Sequence, residues 1–169
     1  KYIFQSNTIF RYLSNLTKTL LCDVFQLAYC DAVFESTHEM FSPLNPTINM
    51  TFGEKYISNK KKLLEDILPN SLNNFEKLLQ NSSGNFFISN YAYYCDFNAY
   101  HHFSMCLILD KNIFSNFPNL KKFINNFEKL NNIKNYLDGR PELVELGKSP
   151  HFFINGKKIP TGLNPNKKY

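Results

Sequence analysis

The stretch from Thr17 to about Phe41 contains no Gly or Pro and most constrains the fold of this chain. Its apolar residues recur at alternating spacings of four and three if positions 31 and 38 are counted. These residues are Leu20, Val24, Leu27, Phe34 and Phe41. Such a period is typical of one face of an α-helix. The sequence therefore predicts one long helix, and its apolar seam also carries Asp31 and His38.

Helices are predicted for most of the remaining chain. Residues Lys1 to Phe4 indicate the end of a strand, and Gln5, Ser6 and Asn7 supply polar caps for a short helix. Further helices are expected over residues 56–79, 93–109, 120–127 and 131–137. With no internal repeat and no alternating strands, the fold class is all-α, a helical bundle.

Proline and glycine mark the expected helix ends. Pro43, Pro46 and Gly53 should break the chain after the long helix, and Pro69 should kink the helix over residues 56–79. Everything after Pro141 is predicted to be a basic tail with one apolar patch, Phe152-Phe153-Ile154.

Composition excludes several kinds of partner. The apolar content of 43% can build a core, and no run of 18 apolar residues suggests a membrane span. The net charge of +5 is spread over helix faces that also carry acids, so no basic stripe for nucleic acid is expected. The four cysteines have no C-x-x-C spacing and fall in apolar patterns, which favours buried free thiols in a reducing cytoplasm.

A metal site is also not expected. His101 and His102 stand near Met105 and Cys106, but neighbouring helical residues point about 100° apart. No carboxylate sits at a suitable ligand spacing.

Asp31 is the residue that does not fit the apolar seam, because an uncompensated buried carboxylate is costly. One interpretation pairs it with a Lys or Arg from a neighbouring helix. The other places it at a cleft or a dimer axis, where it receives a cationic ligand group and Phe34, His38 and Phe41 form an aromatic wall. Ser6 also has two interpretations: an ordinary N-cap, or a seat for a carboxylate at a helix N-terminus.

Four motifs resemble segments of the cytosolic glutathione transferases, in the same order along the chain. Residues 5–13, QSNTIFRYL, resemble the Q-S-x-A-I-x-R-Y-L segment at the last strand and third helix of that family's thioredoxin-like domain. Asp23 and Asp31 match two acids on the first helix of its helical domain. Residues 87–97 resemble W-F-x-G-x-x-x-T-x-x-D-F, and residues 117–121 read FPNLK as in the family. The mu, sigma and prostaglandin-synthase branches are the most similar.

The resemblance implies a fold and a domain organisation. Residues 1–15 would be the end of a thioredoxin-like glutathione-binding domain, residues 16–140 the helical C-terminal domain, and residues 141–169 a tail. Because the chain opens with Lys1 and an apolar stretch, it is expected to begin inside a folded unit, with most of the thioredoxin-like domain upstream.

The resemblance also implies a glutathione transferase that joins the glutathione thiolate to electrophilic apolar molecules. Gln5 and Ser6 would hold the γ-glutamyl end of glutathione, and Asp31 would reach its α-amino group from the other subunit of a homodimer. Phe34, His38 and Phe41 would line the pocket for the apolar co-substrate. Glutathione is then a substrate, and no cofactor is expected. A non-catalytic docking or structural module with the same fold is the alternative.

Three departures from the family pattern bear on these expectations. The position of Phe41 is a Tyr in the mu class, and Phe41 lacks the hydroxyl that assists some reactions there. Asp96 matches the acid of a capping box, but Tyr93 stands where the family has Ser or Thr, so Asp96 is predicted to fold the chain rather than to catalyse. No residue matches the hydroxyl that activates the glutathione thiol, so the printed chain alone is expected to be inactive.

Overall fold

The structure is a computed structural model that describes residues 2–17, 23–51, 53–139, 151–154 and 157–160. Its helices and strands follow the chain in a simple order. They are α1 (Ser6–Leu16), α2 (Val24–Met50), α3 (Gly53–Lys62), a π-helical turn (Leu63–Ile67), α4 (Leu68–Gln80), α5 (Tyr94–Leu109), α6 (Pro118–Glu128), α7 (Asn131–Gly139), β1 (His151–Ile154) and β2 (Lys157–Pro160). The predicted helical bundle is therefore confirmed for the described residues between 6 and 139. No helix among the described residues is both long and apolar enough to cross a membrane.

The two prolines that were expected to end the long helix lie inside it. Helix α2 passes through Pro43 and Pro46 and ends at Met50, so the predicted break is wrong. A proline removes one N–H donor from the helix ladder. Here Thr47 Oγ1 donates to the Pro43 carbonyl at 3.1 Å and Thr51 Oγ1 donates to the Thr47 carbonyl at 2.7 Å. Side-chain hydroxyls thus bond to carbonyls in the turns around the prolines.

The predicted apolar seam of α2 is also shifted from the buried face. Val24 is 81% exposed and His38 is exposed, and Phe34 is the one described seam residue that is fully buried. The buried residues of α2 are Cys30, Val33, Phe34, Thr37, Met40, Leu44, Thr47 and Ile48. Two threonines belong to this face, and an apolar pattern does not count them. Leu20, the first residue of the predicted seam, lies outside the described residues.

The helical segment around Pro69 changes type just before this residue. The five residues before α4 form a π-helical turn, and Pro69 occupies the second position of α4. A proline in the first turn of a helix is tolerated, because the N–H groups of that turn have no acceptor within the helix. One continuous helical segment therefore joins α3 to α4, as the sequence pattern predicted.

The chain ends differ from the prediction of an all-helical chain. Residues 2–4 form no strand, so the predicted strand end is wrong there. A strand requires a neighbouring strand to pair with, and these residues have none in the described part of the chain. In the tail, β1 pairs antiparallel with β2, with His151 opposite Pro160 and Ile154 opposite Lys157. The expected basic tail over residues 141–150 and 161–169 lies outside the described residues.

The core lies between α2, α4, α5 and α6 and is rich in phenylalanine. Phe103 contacts Phe75, Phe114 and Phe123 in edge-to-face geometry at 5.5–5.9 Å between ring centroids. Three cysteines, Cys30, Cys95 and Cys106, are buried and free, as predicted for small apolar residues. The fourth cysteine, Cys22, lies outside the described residues.

The FPNLK motif begins α6, and a carboxylate from another helix caps it. Glu76 of α4 accepts hydrogen bonds from the backbone N–H groups of Asn119 and Leu120, each at 2.9 Å, and from Asn119 Nδ2 at 2.7 Å. The first N–H groups of a helix have no partner within it. This long-range cap therefore joins α4 to α6.

Asp96 organises the loop that leads into α5. Its carboxylate is fully buried and accepts the N–H of Tyr93 at 2.8 Å and the N–H of Phe87 at 3.0 Å. Ser89 Oγ and Asn90 Oδ1 accept other N–H groups of the same loop. Gly84 fits this loop because an added Cβ would lie 2.1 Å from the Ser89 carbonyl carbon. The prediction that Asp96 accepts backbone N–H groups is confirmed.

We expect Asp96→Ala to lower the free energy of unfolding by about 2–4 kcal/mol, because it leaves two N–H groups without an acceptor. Urea unfolding followed by circular dichroism measures this change. Asp96→Asn keeps one acceptor oxygen and should cost less, whereas Asp138→Ala, at an exposed position, should cost less than about 0.5 kcal/mol. Equal losses in Asp96→Ala and Asp138→Ala would contradict the assignment.

Candidate functional site

Asp31 lies on the partly exposed side of α2, and two neighbouring helices hold it. Arg11 Nε of α1 lies 2.8 Å from Asp31 Oδ1, and the Tyr94 hydroxyl at the start of α5 donates to the same oxygen at 2.7 Å. Of the two interpretations of Asp31, the pairing with a cation from a neighbouring helix is thus present in the structure, and the placement at a dimer axis stays a prediction. No described residue donates a hydrogen bond to Oδ2, and the side chain remains 43% exposed.

Arg11 links Asp31 to a second acid. Its Nη2 donates to Glu35 Oε1, and its guanidinium carbon lies 5.1 Å from the centroid of the Phe34 ring. The hydrogen bond to Glu35, together with Asp31, raises the pKa of Arg11, so the guanidinium stays charged. One cation and two carboxylates leave a net negative charge at this surface, which favours an approaching cation.

Gln5 and Ser6 lie exposed at the N-terminus of α1. The helix begins at Ser6 and its N-cap residue is Gln5, so the ordinary N-cap role considered for Ser6 is wrong. Gln5 has φ 73° and ψ 118°, a left-handed conformation that costs a non-glycine residue about 1–3 kcal/mol. Backbone strain of this kind is found mostly at active sites and ligand-binding sites.

The first turn of α1 offers backbone donors. The first N–H that bonds within the helix is that of Ile9, which donates to the Gln5 carbonyl at 3.0 Å. The preceding N–H groups have no acceptor within an α-helix, and no acid occupies the first turn. The structure therefore leaves an anion-compatible helix end at Ser6. Within the described chain, neither Gln5 nor Ser6 hydrogen-bonds to Asp31.

The three residues of the predicted aromatic wall do not lie together. Phe34 is completely buried and packs between Phe10 and Tyr94, with ring centroids 5.7 and 5.5 Å away. It therefore belongs to the core beneath the ion pair. His38 and Phe41 lie within 6.4 Å of each other and face α5 instead.

His38 and Phe41 form a ring cluster with two histidines of α5. The Phe41 ring stacks on His102 at 4.4 Å between centroids, and lies 6.0 Å from His101. His102 is 3% exposed, and its Nδ1 has no hydrogen-bond partner among the described residues. Burial, with smaller effects of His101 and His38, lowers the pKa of His102 to about 3. His102 is therefore neutral at physiological pH.

Metal ligation by this ring cluster has no geometric support. No group of three or more His, Cys, Asp or Glu residues in the described part of the chain could hold a metal ion. Met105 and Cys106, which follow the two histidines, are buried in the core.

An apolar cavity of about 360 Å³ lies between α1 and the start of α5. Phe10, Leu13 and Ala92 line it, together with Tyr94 and Phe97. The predicted substrate residues His38 and Phe41 are not among the residues that line this cavity.

Residues 38–140 match the family described as the glutathione S-transferase C-terminal domain. This match covers more than half of the chain, so the protein belongs to the glutathione S-transferase family. The all-α fold predicted from the resemblance is confirmed by this match and by the helical structure.

Curated relatives extend the similarity beyond the matched domain. The chain is 29% identical over 140 residues to a glutathione S-transferase of Plasmodium yoelii yoelii, covering 83% of this chain and 64% of that protein. It is 27% identical over 158 residues to glutathione S-transferase P of Caenorhabditis elegans, covering 92% of this chain and 72% of that protein. The chain thus spans about two thirds of the length of these relatives.

The fold is shared with solved structures. The Pi-class glutathione S-transferase of Onchocerca volvulus superposes with a TM-score of 0.74 and is 24% identical, over 82% of this chain and 65% of that one. A rat structure titled hPGDS superposes with the same TM-score and is 23% identical, over 83% of this chain and 69% of that one. At these identities the superpositions show the fold alone.

Sequence reasoning missed three residues of the site. Arg11 lies in the QSNTIFRYL motif and Tyr94 in the segment over residues 87–97, but neither was assigned a role. His102 was considered only as a metal ligand. Arg11 could have been identified as a partner of Asp31, because it is the one cation on the helix that precedes Asp31.

The buried His102 predicts a dependence of stability on pH. The folded-state pKa lies near 3 and the ordinary value is 6.5, so the unfolded chain binds the proton more tightly between these values. Stability should fall as the pH is lowered below about 6.5, by at most about 1.4 kcal/mol per pH unit. In His102→Leu this contribution should disappear, and urea unfolding between pH 7 and pH 4.5 measures it.

His101→Leu provides the matched control, because His101 is exposed and adjacent. Burial raises the pKa of Asp96 to about 6, so Asp96 increases the stability as the pH falls. This contribution is the same in the wild type and in both variants. If His102→Leu lost stability with acid as steeply as the wild type, the neutral buried state of His102 would be refuted.

Proposed function

We propose that the full-length protein is a homodimeric glutathione transferase that conjugates the glutathione thiolate to electrophilic apolar molecules. In this reaction the thiolate sulfur forms a bond to an electrophilic carbon, and a leaving group departs or a π bond of the acceptor takes up the electron pair. The thiol-activating group and the apolar co-substrate are not assigned to described residues. The proposal for this chain concerns the binding of glutathione.

The observation that carries the proposal is the presentation of Asp31. Its carboxylate is held at Oδ1 by Arg11 and Tyr94, whereas no described residue donates a hydrogen bond to Oδ2, and the side chain is 43% exposed in a net negative surface. An α-ammonium group would find there a charge-assisted acceptor. Such a site suits the ammonium of a γ-glutamyl group better than it suits a purely structural role.

Gln5 and Ser6 are the proposed binding site for the α-carboxylate of the same γ-glutamyl group. The free N–H groups of the first turn of α1 and the positive end of the helix dipole favour a carboxylate. The strained backbone of Gln5 is consistent with a conformation kept for binding. Since Asp31 does not contact these residues within one chain, we propose that it acts across the dimer, as the family resemblance implies.

Exposed apolar side chains on α1 and at the start of α2 support the dimer. Tyr12, Leu13 and Leu16 are 46–59% exposed, and Val24 and Phe25 are about 80% exposed. Such a patch favours association. A second copy is the proposed partner, and neither nucleic acid nor a membrane is proposed as one. The buried free cysteines favour the cytoplasm.

The finer class is proposed separately. The similarity of residues 5–13 and 117–121 to the mu and sigma branches remains a prediction, and relatives named glutathione S-transferase P favour a Pi-like relation. His38 and Phe41 remain the proposed residues that contact the apolar co-substrate. Phe34 is buried in the core and would act only by packing beneath the site.

We expect Asp31→Asn to weaken glutathione binding about 10- to 100-fold, because it removes a charge-assisted hydrogen bond of about 1.5–3 kcal/mol. Isothermal titration calorimetry of the full-length dimer with glutathione measures the affinity. Glu39→Gln is the matched control, since Glu39 is an exposed acid two turns further along α2 and outside the Arg11 ion pairs, and it should change the affinity less than about 3-fold.

Conjugation of a chromogenic aryl halide then separates an enzyme from a docking module. A protein that binds glutathione but does not consume the aryl halide would favour the non-catalytic alternative. Wild-type protein without measurable affinity for glutathione, or variants that bind as well as the wild type, would reject the proposed site.

A further inference from the structure

The hydroxyl of Tyr94 makes a contact that its ring does not need. Tyr94 is 5% exposed, and its ring packs against Phe34 at 5.5 Å between centroids. The hydroxyl reaches past this packing to Asp31 Oδ1 at 2.7 Å, which joins residues 63 positions apart in the sequence. A phenylalanine would fill the same space. The hydroxyl therefore has a role other than packing.

Both protein donors converge on one carboxylate oxygen. Arg11 Nε and the Tyr94 hydroxyl occupy Oδ1 at 2.8 and 2.7 Å. A carboxylate oxygen has about two acceptor positions, so Oδ1 is saturated, whereas no residue in the described part of the chain donates to Oδ2. This arrangement selects which oxygen remains for a ligand.

The two donors differ in rigidity. Arg11 is a long side chain that is 33% exposed and is shared with Glu35, whereas Tyr94 stands in the first turn of α5 and is fixed by the core. Burial, and then the hydrogen bond to Asp31, raises the pKa of Tyr94, so the hydroxyl remains a donor over the physiological range. Of the two, Tyr94 fixes the orientation of the carboxylate more firmly.

We propose that Tyr94 is a positioning residue that locks Asp31 in the orientation in which Oδ2 receives the ammonium of a γ-glutamyl ligand. This inference rests on the proposed function, because it assumes that Asp31 contacts glutathione. Tyr94 itself touches no substrate in this scheme. Its effect is to remove the rotational freedom that Asp31 would otherwise lose on binding.

Tyr94→Phe removes the hydroxyl and keeps the ring. Immobilising one side chain costs an amount that corresponds to about 3- to 10-fold in affinity, so the variant should bind glutathione weaker by that factor. In steady-state kinetics the KM for glutathione should rise while kcat is unchanged. Calorimetry and initial rates of the full-length dimer measure the two quantities.

Tyr100→Phe is the matched control. Tyr100 lies on the same helix, is also buried, and its hydroxyl donates to Glu128 at 3.0 Å, away from Asp31. Removing this hydroxyl should leave the affinity for glutathione unchanged. If both variants lose affinity for glutathione equally, the effect comes from disturbing α5 in general, and the proposal is overturned.

A double-variant cycle distinguishes positioning from a loss of structure. In the Asp31→Asn background, Tyr94→Phe should change the affinity less than about 1.5-fold, because the residue that it positions has lost its charge. A loss caused by a damaged fold would recur in that background and would refute the proposal. If wild type and Tyr94→Phe bind glutathione with equal affinity, this inference alone is overturned. If the wild type does not bind glutathione, the proposed function is overturned as well.

Discussion

The packing of α2 against α5 determines where the candidate site residues lie. One buried polar contact fixes the relative position of the two helices: Asn98 Nδ2 donates to the Phe34 carbonyl at 3.1 Å and to Thr37 Oγ1 at 2.8 Å. A buried amide must satisfy its donors, so sliding one helix along the other would cost these bonds. With this register, Tyr94 meets Asp31 one turn earlier and His102 meets Phe41 one turn later. The same contact therefore places both the acid and the ring cluster.

The helices were predictable because their local signals agree. The apolar spacing, the FPNLK start of α6 and the polar residues at the start of α1 all indicate helix. Helices α5, α6 and α7 begin and end within about two residues of their predicted bounds. Pro43 and Pro46 were misjudged because tertiary burial of Leu44 and Ile48 keeps the surrounding turns helical. The hairpin of β1 and β2 was missed because each strand has only four residues.

The candidate site was predictable only in part. Asp31 was identifiable as an anomaly, since an acid in an apolar pattern requires a partner. Its partners were not identifiable, because Arg11 and Tyr94 lie 20 and 63 residues away and no local pattern encodes such a distance. Phe34 was on the predicted apolar seam, but it was assigned to an aromatic wall with His38 and Phe41. The seam did not include Thr37, which is buried beside Phe34 because its hydroxyl donates to the Phe34 carbonyl at 2.8 Å.

The π-helical turn before Pro69 has a consequence for the alignment of the two helices that it joins. Residues five apart on an α-helix point about 140° apart, yet Leu63 and Leu68 are both buried, as are Leu72 and Phe75 beyond them. Because the wider turn brings every fifth residue back to one side, Leu63 stays on the buried side together with Leu68. The turn thus accommodates what is in effect a one-residue insertion, and the residue that begins it contributes to the same core as the buried residues of α4.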